Sequence, residues 1–390
     1  MINRRSLRIK AFKNLYSYES CKGANYLMGL DMIDKKFSPD LNSMDIVDKD
    51  ELNEKKTLAI EAFDYHFDKE NKEVVQSQEV DKEVKETLDY VERQNKVDLR
   101  KLSKDLQDEA SKVTIDHLMI ISLLEELAFQ NKRLSDEKKS LANILGEKAQ
   151  SKSLLYKNKV VAKLKKNETY QKLKENHKIS WANQEDQLKI WYKGILLKDA
   201  TFKEYLQKES VNYEEDWKIL DYLCRGVIFK NDVFISFFED IDLDWSENQP
   251  IVRSLVLKTL KSVKEESDDL QISDISYNWE DDSEYVQELF KLTAQENDYL
   301  ESLLKGKLQN WDIERVAMTD KVLLKMALAE LIYFPSIPTK VTINEFIEIS
   351  KKFSTPKSKK FVNGVLDGLS KELVDKGIIK KSGRGLLDNK

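Results

Sequence analysis

Proline is nearly missing from this chain: five occur in 390 residues, and none lies between Pro39 and Pro250. Proline removes a backbone donor and clashes inside a helix, so its absence over that stretch favours helix after helix. Cysteine is scarcer still. Cys21 and Cys224 fit neither a disulfide framework nor a metal-ligand spacing. The three histidines, His66, His117 and His177, form no H-x-x-x-H pair, and neither GxGxxG nor GxxxxGK[ST] occurs. Gly383-Arg384-Gly385 is too short to cradle a phosphate. These absences leave no catalytic motif, no metal set and no cofactor loop. The longest apolar run, LMIISLL at residues 118–124, is far short of the ~20 residues that span a bilayer. The opening MINRRSLRIKAFKN carries charge but no apolar signal-peptide core. The expectation is a non-enzymatic protein in a reducing, cytoplasmic setting with no membrane partner.

What is present is apolar and charged in nearly equal measure, 41% against 35%, with a net charge of −5. A chain this rich in apolar and aromatic residues is not disordered throughout. The acidic balance argues against general nucleic-acid binding, so any such binding must come from local basic patches. Two stand out. One is Arg4, Arg5, Arg8 and Lys10, followed by Tyr16 and Tyr18. The other runs through residues 351–360, including Lys357, Lys359 and Lys360. Arginine and lysine can neutralise phosphates, and neighbouring aromatics can stack on bases. Taken alone, a solvated helix start and a solvated loop are the simpler account of the same charges, since short basic runs are common.

Helical periodicity organises the chain as all-α. Residues 3–19 form a first helix with two apolar stripes, one of Leu7, Ala11, Leu15 and Tyr18, the other of Ile9, Phe12 and Tyr16. Residues 20–56 are mixed, with turn signals at Cys21-Lys22-Gly23, just after the first helix, and at Ser38-Pro39-Asp40. Long charged amphipathic helices follow to about residue 178, with a Lys-rich flexible connection near 131–153. Residues 212–245 and 278–311 then resemble one another, each opening on an Asn N-cap before acidic residues. Thr342-Ile343-Asn344-Glu345 reads as a capping box, and a last helix runs from about Lys359 to Asp375.

The strings DKVLLKMALAE (320–330), IPTKVTINE (337–345) and SKKFVNGVLD (358–367), with the opening RRSLRIKAFKNLY (4–16), resemble the NusB transcription antitermination family. The resemblance covers the first ~20 residues and roughly 280–375, about the length of one ordinary domain. It implies an all-helical, non-catalytic RNA-binding protein. Its partners would be boxA-like single-stranded RNA of ribosomal RNA leader transcripts and NusE, a small-subunit ribosomal protein. RNA polymerase and other Nus factors would be engaged indirectly. Carried over by residue, it places RNA contacts at Arg4, Arg5, Arg8 and Tyr16 and in the loop 354–360, with Lys357, Ser358, Lys359 and Lys360, up to Phe361 and Asn363; Lys10 joins them from the first basic patch, and an acidic partner-facing position falls on Asp320. Asn363 has an equally simple role as a polar link near the last helices. Lys357 occupies a loop position that is often acidic in the family.

The expected organisation is a first helix (1–20), an inserted charged helical region (21–178), additional helical units packing on the core (179–275), the NusB-like region (276–375) and a mobile basic tail (376–390). An added RNA or polymerase surface on the insertion is the sharper alternative to simple packing. The competing functional reading is a helical protein–protein scaffold for transcription or ribosome assembly without RNA contact.

Overall fold

Fifteen α-helices and a few tighter or wider turns account for all regular structure among the described residues, with no strand. The structure is a computed structural model. It describes residues 2–39, 48–68, 78–145, 152–267, 270–307 and 316–389. The chain divides into two compact units, Met1–Ser6 with Asp108–Asp282, and Leu7–Gln107 with Ser283–Lys390. These borders cut across those expected, because the front of the inserted region is grouped with the C-terminal helices.

In the second unit, α13 (Met318–Tyr333) is buried without interruption from Val322 to Leu331. A helix apolar all round belongs at the centre of a bundle, and α12 (Asn297–Lys307), α14 (Thr339–Phe353) and α15 (Ser358–Asp375) pack around it. Its two polar interior residues are both partnered. Lys325 Nζ donates to Glu19 (2.5 Å) and Asn297 (2.7 Å), and burial holds its pKa below the usual lysine value despite Glu19. Glu330 is taken up below.

The expected end of the first helix near Cys21-Lys22-Gly23 is not seen: α1 runs Arg4–Lys36. A lone glycine costs only ~1 kcal/mol in a helix. Here Ile33 and Phe37 continue the buried stripe, joining Phe63 of α2 (Lys49–Asp68) and Val80, Val84 and Val91 of α3 (Gln78–Leu145) in one core. Asp40 of the second turn signal lies outside the described residues. Gly29 packs tightly against the Phe63 ring, since a Cβ there would come within 2.5 Å of Phe63 Cζ, whereas one on Gly23 would meet nothing within 4 Å. Gly23→Ala should therefore raise stability by ~1 kcal/mol through helix propensity. Gly29→Ala should lower it, because overpacking costs of ~1–3 kcal/mol outweigh the same gain. Urea unfolding of both variants reads the opposite signs directly.

Three further expectations change. The connection near 131–153 is helical up to Leu145, the end of α3, while residues 146–151 lie outside the described part. The proposed capping box does not cap: α14 begins at Thr339 directly after Pro338, which places Thr342 inside the helix with its hydroxyl on Glu330 (2.7 Å). The tail is anchored rather than loose. Gly377 takes a left-handed φ of +67° to end α15, Ile379 is buried, and Ser382 N donates to Pro335 O at 3.0 Å. Lys390 lies outside the described residues.

The first unit takes the rear of α3 into a core rich in aromatics, with Trp191 at 4.6 Å from Phe234 and 4.8 Å from Phe237. His117 is a neutral core group here, bonded to Thr259 Oγ1 at 3.0 Å, with burial pushing its pKa down to about 3. The paired positions of the expected 212–245 and 278–311 units are all buried, each within its own unit: Leu220, Leu223, Phe234 and Phe238, then Val286, Leu289, Leu300 and Leu304. Asn212 makes a true capping box with Glu215. Residues 308–311 lie outside the described part.

A shorter period runs through the first unit as well. Lys166-Asn167, Lys198-Asp199 and Lys230-Asn231 recur every 32 residues. Each Asn or Asp caps a following helix: α5 (Glu168–Asn176), α7 (Ala200–Gln207) and α9 (Asp232–Ile241). Three residues after each cap stands a fully buried aromatic, Tyr170, Phe202 or Phe234, and two before each lysine a buried Leu164, Leu196 or Ile228.

Candidate nucleic-acid interface

Between α14 and α15 the chain must leave the helix, because Pro356 supplies no backbone donor. What fixes this short loop is a chain of hydroxyls. Ser358 is 3% exposed, and its Oγ donates to Asp320 Oδ2 at 2.7 Å. Ser354 Oγ and Thr355 Oγ1 each lie 2.9 Å from the same hydroxyl, and Thr319 Oγ1 lies 3.1 Å from Ser354 Oγ. The loop is thus fastened to the first turn of α13, while Lys357, Lys359 and Lys360 stand exposed around the fastening. Asn363 is half-buried one turn further on, its Nδ2 donating to Asp367 Oδ2 at 3.2 Å along its own helix.

The first helix contributes an aromatic edge. Phe12 lies 5.4 Å from Phe353 at the end of α14, and Tyr16, 39% exposed, lies 6.3 Å from Phe12. Lys13 Nζ and Lys352 Nζ sit 5.9 and 5.6 Å from the Phe353 ring centroid. The Phe12–Tyr16 face of α1 therefore borders the foot of the lysine loop.

Several residues expected at this surface are elsewhere. Arg8 is 2% exposed and points inward: Nε and Nη2 donate to the two oxygens of Glu330 at 2.7 and 2.8 Å. Tyr285 of α11 (Trp279–Gln295) and Thr342 donate to the same carboxylate. Burial alone would lower the Arg8 pKa, but Glu330, Tyr285 and Glu345 outweigh it and raise it. Lys10 is also 2% exposed. Helical spacing explains Arg8, which stands four residues before Phe12 and seven before Leu15, on the buried stripe. The same rule puts Lys13, which is not among the expected contacts, three residues before the exposed Tyr16 on one face of α1. Arg4 and Arg5 are exposed in the first turn, with Arg4 Nε 3.4 Å from Asp282 Oδ1. Asp320, expected to face a partner, is 5% exposed and holds Ser358 instead, and its Oδ1 has no hydrogen-bond partner among the described residues. Ser358 likewise holds the loop rather than presenting its hydroxyl.

Among the described residues no group of three or more His, Cys, Asp or Glu could hold a metal ion, and no helix is long and apolar enough to cross a membrane.

Residues 250–371 match the NusB family model. The chain is 53% identical over 79 residues to the transcription antitermination protein NusB of Chloroherpeton thalassium, covering 20% of this chain and 37% of that protein. It is 41% identical over 104 residues to that of Salinibacter ruber (27% and 65%) and 40% over 91 residues to that of Methylacidiphilum infernorum (23% and 64%). The matched parts thus span between about a third and two thirds of these relatives. Among solved structures, T. maritima NusB is 27% identical, covering 39% of this chain and 91% of its own, with a TM-score of 0.24. Residues 250–371 of the chain are therefore similar to the NusB family, within a longer chain that carries additional helices.

Proposed function

We propose that this protein is a non-catalytic transcription antitermination factor that binds boxA-type single-stranded RNA together with the ribosomal protein NusE in the cytoplasm, and engages RNA polymerase and other Nus factors through that assembly. The observation that carries the reading is the fastened loop, which holds three exposed lysines at the start of a helix seated in the core. A fixed loop presents charge without first losing the entropy of ordering it, which is the advantage of pre-organisation. Lys357, Lys359 and Lys360 neutralise backbone phosphates, with Lys13 and Lys352 beside them and Arg4 and Arg5 adding charge at the start of α1. Tyr16 offers a stacking face worth ~1–3 kcal/mol per base, and the Asn363 amide can exchange Asp367 for a base edge. Arg8 and Lys10 are left out of the contact set by their burial, and Asp320 acts through Ser358.

The relatives' names support the antitermination role, and the exposed lysines support RNA over a purely protein-binding scaffold. The test is titration against a boxA-like RNA, with and without NusE, across a range of salt. Affinity should fall steeply as salt rises. Undetectable or salt-insensitive RNA affinity in both conditions would return the protein to the scaffold reading.

A further inference from the structure

The 32-residue period of the first unit builds something beyond a core. Between its second and third junctions lies a cleft of about 430 Å³, faced by equivalent residues of the two copies: Gly194 and Gly226, Lys198 and Lys230, Asp199 and Asn231. Lys198 and Lys230 are exposed, and neither has a carboxylate within ion-pair distance among the described residues. Asp199 is engaged elsewhere, one oxygen accepting from Phe202 N and the other from the Tyr222 hydroxyl, each at 2.8 Å. Asn231 is uncharged and caps α9 through Val233 N at 3.0 Å. A Cβ on Gly194 would meet no atom within 4 Å, so the wall on that side stays low and the cleft open.

The cleft therefore offers two ammonium groups at equivalent positions against one carboxylate, whose oxygens already accept from Phe202 N and Tyr222, with polar walls and no aromatic face. Pockets that capture small molecules are mainly apolar and aromatic, which this one is not. An acidic peptide would draw its affinity from buried apolar anchors as well as charge, and only Ile195 and Val227 are available. A ligand with regularly repeated anionic groups and no demand on side-chain pockets fits best. We propose that the Lys198–Lys230 cleft is a second, sequence-independent seat for the phosphate backbone of single-stranded RNA. The proposal rests on the RNA-binding reading above and extends it to the inserted helices.

The test uses the full chain and oligouridylate, a strand with no boxA sequence. In K198A/K230A the slope of log affinity against log salt should flatten by about 1.4 units, at ~0.7 per phosphate of a single strand. K198R/K230R should keep the wild-type slope. K172A/K203A removes the same charge from exposed positions of α5 and α7 outside the cleft, and should leave the slope near wild type. An unchanged slope in K198A/K230A, an equal loss in K172A/K203A, or cleft-dependent capture of oligoglutamate without oligouridylate would each overturn the proposal. BoxA-like RNA run in parallel separates the two readings. Failure of boxA binding with a cleft-dependent oligouridylate slope removes the first and keeps the second. Loop-dependent boxA binding with an indifferent cleft does the reverse.

Discussion

Arg8→Ala should destabilise the protein by about 3–5 kcal/mol, the range for breaking a buried ion pair from one side. Glu330 is fully buried and accepts four hydrogen bonds, two of them from Arg8. Without the guanidinium, its charge is left with two neutral hydroxyls, from Tyr285 and Thr342. Arg8→Lys should recover little, since a single ammonium cannot reproduce the paired, planar contact to both carboxylate oxygens. Chemical denaturation reads the loss. The folded fraction of Arg8→Ala should still bind RNA with the wild-type salt slope. A variant of normal stability with a flattened slope would instead make Arg8 an RNA contact.

Ser358→Ala should weaken RNA binding about tenfold, roughly the cost of ordering one more backbone residue, while leaving the salt slope intact. The substitution removes the donor to Asp320, whose other oxygen already has no partner among the described residues. An unsatisfied buried acceptor costs ~1–3 kcal/mol, and more when charged. Much of that penalty falls on the loop, which loosens from α13. All three lysines remain, so the same phosphates are neutralised once RNA is bound, and only the readiness of the loop changes. Ser358→Thr, which keeps the hydroxyl, should recover much of the affinity. If Ser358→Ala flattened the slope as a lysine substitution does, the hydroxyl would be a contact and the fastening incidental.

Much of this could be read from residue order. The missing prolines announced helices, and the periodicity announced a last helix from about Lys359 to Asp375, close to the observed α15. The strings around residues 337–345 and 358–367 announced the likeness to the NusB family that the match over residues 250–371 bears out. What stayed hidden depends on which way a side chain turns. Arg8 looked like surface charge because it stands among Arg4, Arg5 and Lys10, yet its partner Glu330 is 322 residues away in sequence. Asp320 and Ser358 are 38 residues apart, and nothing local shows that they meet. Gly23 looked like a turn because glycine often ends helices, but the stripe through Ile33 and Phe37 overrode it. Thr342 and Glu345 have the spacing of a capping box, yet α14 starts at Thr339, one step after Pro338. The 32-residue period needed the caps and buried aromatics to be placed side by side before it stood out.

The most direct test of the central claim is the salt dependence of boxA-like RNA binding by the K357A/K359A/K360A variant beside the wild type. If the fastened loop is the phosphate-binding element, the slope of log affinity against log salt should flatten by about two units, at ~0.7 per phosphate for three lysines, with stability unchanged. A variant that bound this RNA with the wild-type affinity and slope would contradict the account.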